Sequence, residues 1–194
     1  MAEAEAVVKA WPRTKPKYVE DSYTPPSDVK VEVDGSKVRM SGKLGSLEYD
    51  FNHTGAELRS EDSKIIIKIP GSNRRSEALL GTIISKLKNM ATGVTQGYTY
   101  KLKIISSHFP ITVKTEGKRV VIENFLGERY KRYADIVGSA KVTVKGEDVI
   151  VTGINKEDVG QTAANIENAC RIKKKDPRKF LDGIYVYEKH VGME

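Results

Sequence analysis

Residues Val29–Phe51 read VKVEVDGSKVRMSGKLGSLEYDF, and Ile111–Tyr133 read ITVKTEGKRVVIENFLGERYKRY. The two stretches are the same pattern written twice. Val31 matches Val113, Gly35 matches Gly117, Val38 matches Val120, Met40 matches Ile122, and Leu44-Gly45 matches Leu126-Gly127. Each begins with apolar and polar residues in alternation, the signature of a half-buried strand, turns at a glycine, and alternates again. Asp34-Gly35 is a strong hairpin signal, because tight turns between twisted strands demand a positive φ that glycine accepts.

Working outward, each copy continues in the same way. Ile65, Ile67 and Ile69 mark a further strand in the first, and Val149, Ile150 and Val151 one in the second. A helix then follows in both. Leu79, Leu80, Ile83, Ile84, Leu87 and Met90 recur at three- and four-residue spacing and form one apolar stripe. In the second copy Asn155 is a good N-cap, Asp158 holds a capping-box-like position, and Val159, Ala163, Ile166, Ala169 and Cys170 line the inner face. Gly97–Ile104 and Gly183–Lys189 are the expected closing strands. The fold class is therefore α+β: two tandem homologous two-layer domains, each an antiparallel sheet packed by one helix. The expected organisation is an extended N-terminal arm over 1–27, a first repeat over 28–105, a second over 109–189 and a tail over 190–194. Four of the seven prolines lie between Pro12 and Pro26, in a stretch without periodicity. Trp11 in that arm packs on the chain's own core or docks on a partner.

The copies differ between helix and closing strand. The first has only Ala91–Gln96, ATGVTQ; the second has Arg171–Asp182, RIKKKDPRKFLD. Six of the nine residues Arg171–Lys179 are cationic: Arg171, Lys173, Lys174, Lys175, Arg178 and Lys179, opposed only by Asp176. Cations past a helix C-terminus offset the helix dipole, which accounts for Arg171 and at most Lys173. The other four call for a polyanion. Pro177 stiffens the loop. Phe180 anchors it to the core or stacks on a base. Tyr185 and Tyr187 share one face of the strand that follows, with Ile184 and Val186 on the other.

Composition agrees. The 194 residues carry 33 Lys and Arg against 26 Asp and Glu, a net charge of +7, with a pI near 9.3. Such a chain meets nucleic acid or an anionic membrane. No apolar run approaches the roughly 20 residues that span a bilayer, and the N-terminus does not read as a signal peptide. The single cysteine, Cys170, falls on a helix's apolar stripe and reads as an inert core thiol. His53, His108 and His190 are scattered, and no nucleophile elbow, phosphate loop or metal-ligand spacing occurs. No catalytic residue, metal, cofactor or small-molecule substrate is expected. Asn73-Arg74-Arg75, Lys118-Arg119 and the group Arg129, Lys131, Arg132 are lesser basic spots. Neither an RNP1-like aromatic run nor a GXXG loop is present, so the pattern suits a shape-reading RNA binder.

Several motifs in order resemble one family. Gln161–Ile166, Arg171-Ile172, Asp176–Phe180 and Asp182–Tyr185 resemble the C-terminal signature of the sixth large-subunit ribosomal protein (the ninth in eukaryotic naming). His108–Pro110, Ile122–Gly127 and Val144–Asp148 are similar to its central segments in the archaeal and eukaryotic branch. The resemblance runs from about Ser27 to Lys189. It implies two similar α+β domains, a cytoplasmic place in the ribosome, and binding to large-subunit (23S-type) ribosomal RNA near the factor-binding region, by the sarcin–ricin loop and the stalk base with its neighbouring ribosomal proteins. It implies no catalysis. By position it puts Lys173, Lys174, Lys175, Arg178, Lys179 and Gly183 in the RNA-contacting loop, with Lys189 nearby. The other reading is a free RNA-binding regulator that uses the same loop.

Overall fold

A computed structural model of the chain describes residues 18–61, 64–173, 175, 176 and 178–193; Trp11, Lys174 and Pro177 lie outside the described residues. The first half carries β1 (Tyr18–Tyr23), β2 (Lys30–Asp34), β3 (Lys37–Gly42), β4 (Gly45–Asp50), β5 (Glu57–Glu61), β6 (Lys64–Pro70) and α1 (Arg74–Thr95). The second carries β7 (Tyr98–Ile105), β8 (Thr112–Glu116), β9 (Arg119–Glu123), β10 (Arg132–Asp135), β11 (Lys141–Lys145), β12 (Asp148–Gly153), α2 (Lys156–Ala169) and β13 (Gly183–Val191). All the strand pairs are antiparallel.

The repeat is plain. Hairpins β2–β3 and β8–β9 turn at Gly35 and Gly117, with φ of +57° and +59°. Each unit's strands divide into two ladders: β2-β3-β4 and β1-β6-β5 in the first, β8-β9-β10 and β11-β12-β7-β13 in the second. α1 covers the first pair and α2 the second. Two cores follow. One gathers Val38, Met40, Phe51, Ile65, Ile67, Ile83 and Leu87; the other Leu102, Ile122, Phe125, Val149, Val151, Ile166 and Ile184.

Two sequence expectations shift. Tyr18–Tyr23, expected in the arm, is a strand laid along β6, with Val19 opposite Ile69 and Tyr23 opposite Ile65. The alternation that marks a strand is missing because β1 is an edge, mostly exposed. The second shift concerns β7, expected to close the first repeat. It lies instead between β12 and β13, with Val149 opposite Leu102 and Ile184 opposite Ile104. β7 therefore stands to the second unit as β1 stands to the first. Each precedes its unit in sequence and flanks the second strand of the later hairpin.

The units are joined tightly. Residues Ala91–Gln96, expected as a loop, continue α1 through Thr95. The helix end wedges against the first unit's turn, where Leu44 N–H donates to the Val94 carbonyl at 3.0 Å. On the other side Gly93 lies so close to Ile154 that a Cβ there would overlap the Ile154 carbonyl oxygen. Lys86 of α1 lies 3.9 Å over the Tyr49 ring and pairs with Glu157 in the first turn of α2. Lys156 donates to Asn89 at 3.2 Å. Asn155 caps α2 as expected, accepting from Glu157 N–H at 3.1 Å, and Asn73 caps α1 in the same way, accepting from Ser76 N–H at 2.9 Å. Asp158 departs from its capping-box role and accepts from Ser139 N–H at 3.4 Å.

Ile166 is fully buried on the inner face of α2. Ile166→Ala should lower unfolding free energy by about 2–5 kcal/mol, read by urea titration. Gly93→Ala sets a helix-propensity gain of about 1 kcal/mol against overlap with rigid backbone, which costs about 1–3 kcal/mol or more. The overlap wins, so the variant should melt lower; an equal or higher melting temperature would show that the junction is looser than described.

Candidate nucleic-acid interface

The cationic loop is fixed at its start, middle and end, each time by a different chemistry. At the start, α2 leaves carbonyls without intrahelical partners. Arg132 meets them: its Nη1 donates to the carbonyls of Ala169 at 2.8 Å and Arg171 at 3.2 Å. The same guanidinium is bidentate to Glu128, at 2.8 and 2.6 Å, and lies 4.3 Å over the Phe125 ring. The bond to Arg132 outweighs partial burial and holds the Glu128 carboxyl below its ordinary value. Arg132, one of the lesser basic spots, is thus structural.

In the middle, the lone acid of the block builds the turn. Asp176 Oδ1 accepts from Arg178 N–H at 3.0 Å, and its carbonyl accepts from the N–H groups of Lys179 at 3.1 Å and Phe180 at 3.0 Å. At the end, Asp182 is 1% exposed. Its carboxylate accepts from the backbone N–H of Ser107 at 2.6 Å and of His108 at 3.1 Å, and meets His108 Nδ1 at 2.7 Å. Burial pushes the Asp182 carboxyl up, but the bonds from His108 and the two amides outweigh it and hold it below the ordinary value. Phe180 anchors the loop. Its ring stacks on His108 with centroids 4.7 Å apart, and Lys175 Nζ lies 4.5 Å from its centroid.

The cations themselves point outward: Arg171, Lys173, Lys175, Arg178 and Lys179 are exposed. Lys174 falls outside the described residues. Gly183, the other residue expected in the RNA-contacting loop, is buried. A Cβ there would lie 2.7 Å from the Tyr185 ring, so glycine is needed for packing. Lys189 is exposed but sits six residues along β13 from Gly183, roughly 20 Å at strand rise. There it lies 5.6 Å from the Tyr100 ring centroid, away from the loop.

The structure adds residues that spacing alone keeps apart. Through Arg132 the segment before β10 lies against the loop. A groove of about 360 Å³ between them is lined by Tyr133, Asn168, Arg171 and Lys173. Tyr130 is 86% exposed between Arg129 and Lys131. Only the basic run in the sequence signals this second loop; its neighbourhood is a tertiary fact. A second groove, of about 470 Å³, runs beside the loop past Cys170, Phe180, Gly183 and Tyr185.

Of the two units, only the second carries a net positive charge. Residues 98–194 carry 18 Lys and Arg against 13 Asp and Glu, whereas residues 18–97 carry 11 of each. Cys170 is 3% exposed, and burial pushes its thiol up to about 12, far from a reactive thiolate. Among the described residues no group of three or more His, Cys, Asp or Glu is placed to hold a metal.

Comparison with known proteins falls on the same two units. Residues 25–97 and 109–183 each match the family described as Ribosomal protein L6. The chain is 51% identical over 165 residues to the large ribosomal subunit protein uL6 of Methanocella arvoryzae, covering 84% of this chain and 93% of that one. It is 56% identical over 167 residues to the protein of the same name from Staphylothermus marinus, covering 84% and 90%. With that from Aeropyrum pernix identity is 50% over 167 residues, covering 86% and 92%.

Because the Asp182 carboxyl is held below the ordinary aspartate value of 3.8, its contribution to stability is full above that value and is lost as pH falls through the lower, folded one. Asp182→Asn should therefore melt lower than the unaltered chain at pH 7, and the gap should narrow on acidification below pH 4. A constant gap from pH 7 to pH 3 would show that the charge of Asp182 is not what holds the linker.

Proposed function

The chain belongs to the ribosomal protein L6 family, and from that premise we propose that its second unit binds large-subunit ribosomal RNA through the exposed cations Arg171, Lys173, Lys175, Arg178 and Lys179, together with Lys174. It is a structural, non-enzymatic component of the ribosome. The observation that carries the RNA-binding reading is a dense cationic loop whose backbone is held at start and end by residues outside it and in the middle by Asp176, rather than by its own cations. Such a loop presents phosphate-binding side chains from a preformed surface, so little ordering remains to be done on binding. The loop containing Arg129 and Tyr130 extends the same face. Many phosphate contacts and no base-reading platform suit recognition of RNA shape.

The family resemblance extends the proposal to location. The RNA is the factor-binding region of the large subunit, near the sarcin–ricin loop, with ribosomal proteins of the stalk base as neighbours. Lys189, distant from the loop, is a peripheral contact at most. Nuclease footprinting of the purified protein on protein-free large-subunit RNA tests the location; protection elsewhere would overturn it. Co-sedimentation separates this reading from a free regulator. One copy should travel with each large subunit, and a mainly ribosome-free pool would count against the proposal.

Arg178→Ala with Lys179→Ala should flatten the dependence of log binding constant on log salt by about 0.7–0.9 for each phosphate no longer neutralised. Both side chains are exposed, so the melting temperature should hold. An unchanged slope would show that this loop does not meet phosphate.

A further inference from the structure

We propose that His108, in the linker between β7 and β8, is a positioning residue for the cationic loop: it latches the loop in its binding conformation without itself touching RNA. The proposal rests on the RNA-binding reading of that loop and assigns a role to a residue outside it.

The contacts run in one line from linker to cation. Asp182 closes the loop and is buried, so its carboxylate needs partners inside the protein. Among the described residues, the hydrogen bonds to that carboxylate come from the β7–β8 linker, two from backbone amides and one from the His108 ring. An ionised carboxylate can only accept, so the proton of that bond lies on Nδ1. The face of the same ring is spent on Phe180, at 26° between planes. Phe180 in turn carries the Lys175 ammonium. Removing the ring thus leaves a buried carboxylate short of a donor and frees Phe180 and Lys175 together.

Nothing comparable can replace it. Among the described residues, the backbone bonds between Asp176 and Asp182 are those of the turn at Asp176 and one from Tyr185 Oη to the Asp182 carbonyl at 3.4 Å. These set local shape but not orientation against the rest of the protein. Orientation at the far end comes from the linker. The His108 side chain is 39% exposed, so its loss opens no large core cavity. The consequence is specific. A loosened loop keeps every cation, so the phosphates neutralised in the complex stay the same in number, while ordering the loop on binding becomes costlier.

The test uses the full chain, with protein-free 23S-type large-subunit RNA as probe. His108→Ala should bind about tenfold more weakly, the scale of ordering one or two long side chains, with the salt slope unchanged. In the free protein, hydrogen exchange at the Lys179 and Phe180 amides should quicken. His108→Asn, whose side-chain amide stands near the Nδ1 position, keeps a donor for Asp182 but not the stack on Phe180, and should recover part of the affinity. It also remains folded if the alanine variant does not. Unchanged affinity in His108→Ala overturns the latch, as does unchanged exchange at those amides. A slope that falls with the affinity overturns it too, since His108 would then be meeting phosphate itself. If the unaltered chain itself shows no salt-dependent binding, the RNA reading falls and the latch with it; intact wild-type binding with an indifferent variant sinks the latch alone.

Discussion

Strand β7 reaches its place directly after α1, and everything in the second half is built on it. Its side chains are buried almost throughout, with β12 hydrogen-bonded along one edge and β13 along the other. A central strand cannot be displaced without breaking two ladders and uncovering apolar surface on the core side. Its position fixes where β13 begins, and the start of β13 fixes the end of the cationic loop. Because α1 runs straight into it, the packing of α1 at Gly93 and Leu44 is transmitted to the second unit without a flexible hinge. The C-terminal end of the chain closes the same junction, since Gly192 and Met193 donate to the carbonyls of Gly97 and Gln96.

The charge distribution makes physical sense on such a support. Six cations in nine residues repel one another; the five that are described are exposed, and the loop holds no counter-charge beyond Asp176. The protein holds them by means that do not consume them. Arg132 satisfies helix carbonyls, Asp176 uses backbone amides, and Asp182 draws on the linker. The bonds that shape the loop backbone leave the ammonium and guanidinium groups available. The first unit, with balanced charge, adds rigidity at the junction without adding to the field.

Much of this was legible in residues alone. Alternation at Val31, Val33 and Val38 and the stripe Leu80, Ile83, Leu87 specify elements through local periodicity, and the cap of α2 follows from Asn155. What the sequence hid was pairing between distant segments. Tyr98–Ile105 looks like a closing strand whether it joins the sheet behind it or the one ahead, because periodicity reports burial and not partners. Tyr18–Tyr23 shows no alternation because an exposed edge needs none. In the interface, the cationic run was evident and its anchors were not. His108 and Arg132 look like scattered polar residues until the fold brings one to Asp182 and the other to the end of α2. The packing of Gly183 under Tyr185 was hidden for a related reason: a glycine needed for packing and one needed for close approach to a ligand read alike.

The order in which strands become available during synthesis gives β7 another meaning. The first unit draws its sheets and helix from consecutive sequence, so its contacts can close while later residues are still being added. β7 has no such option. One neighbour, β12, lies beyond a complete second hairpin, and the other, β13, is the last strand described. The cationic loop lies between those two neighbours and takes its shape only after β13 has zipped onto β7. An incomplete chain therefore carries the charges without the surface that arrays them, and its positive field stays diffuse until the final strand docks.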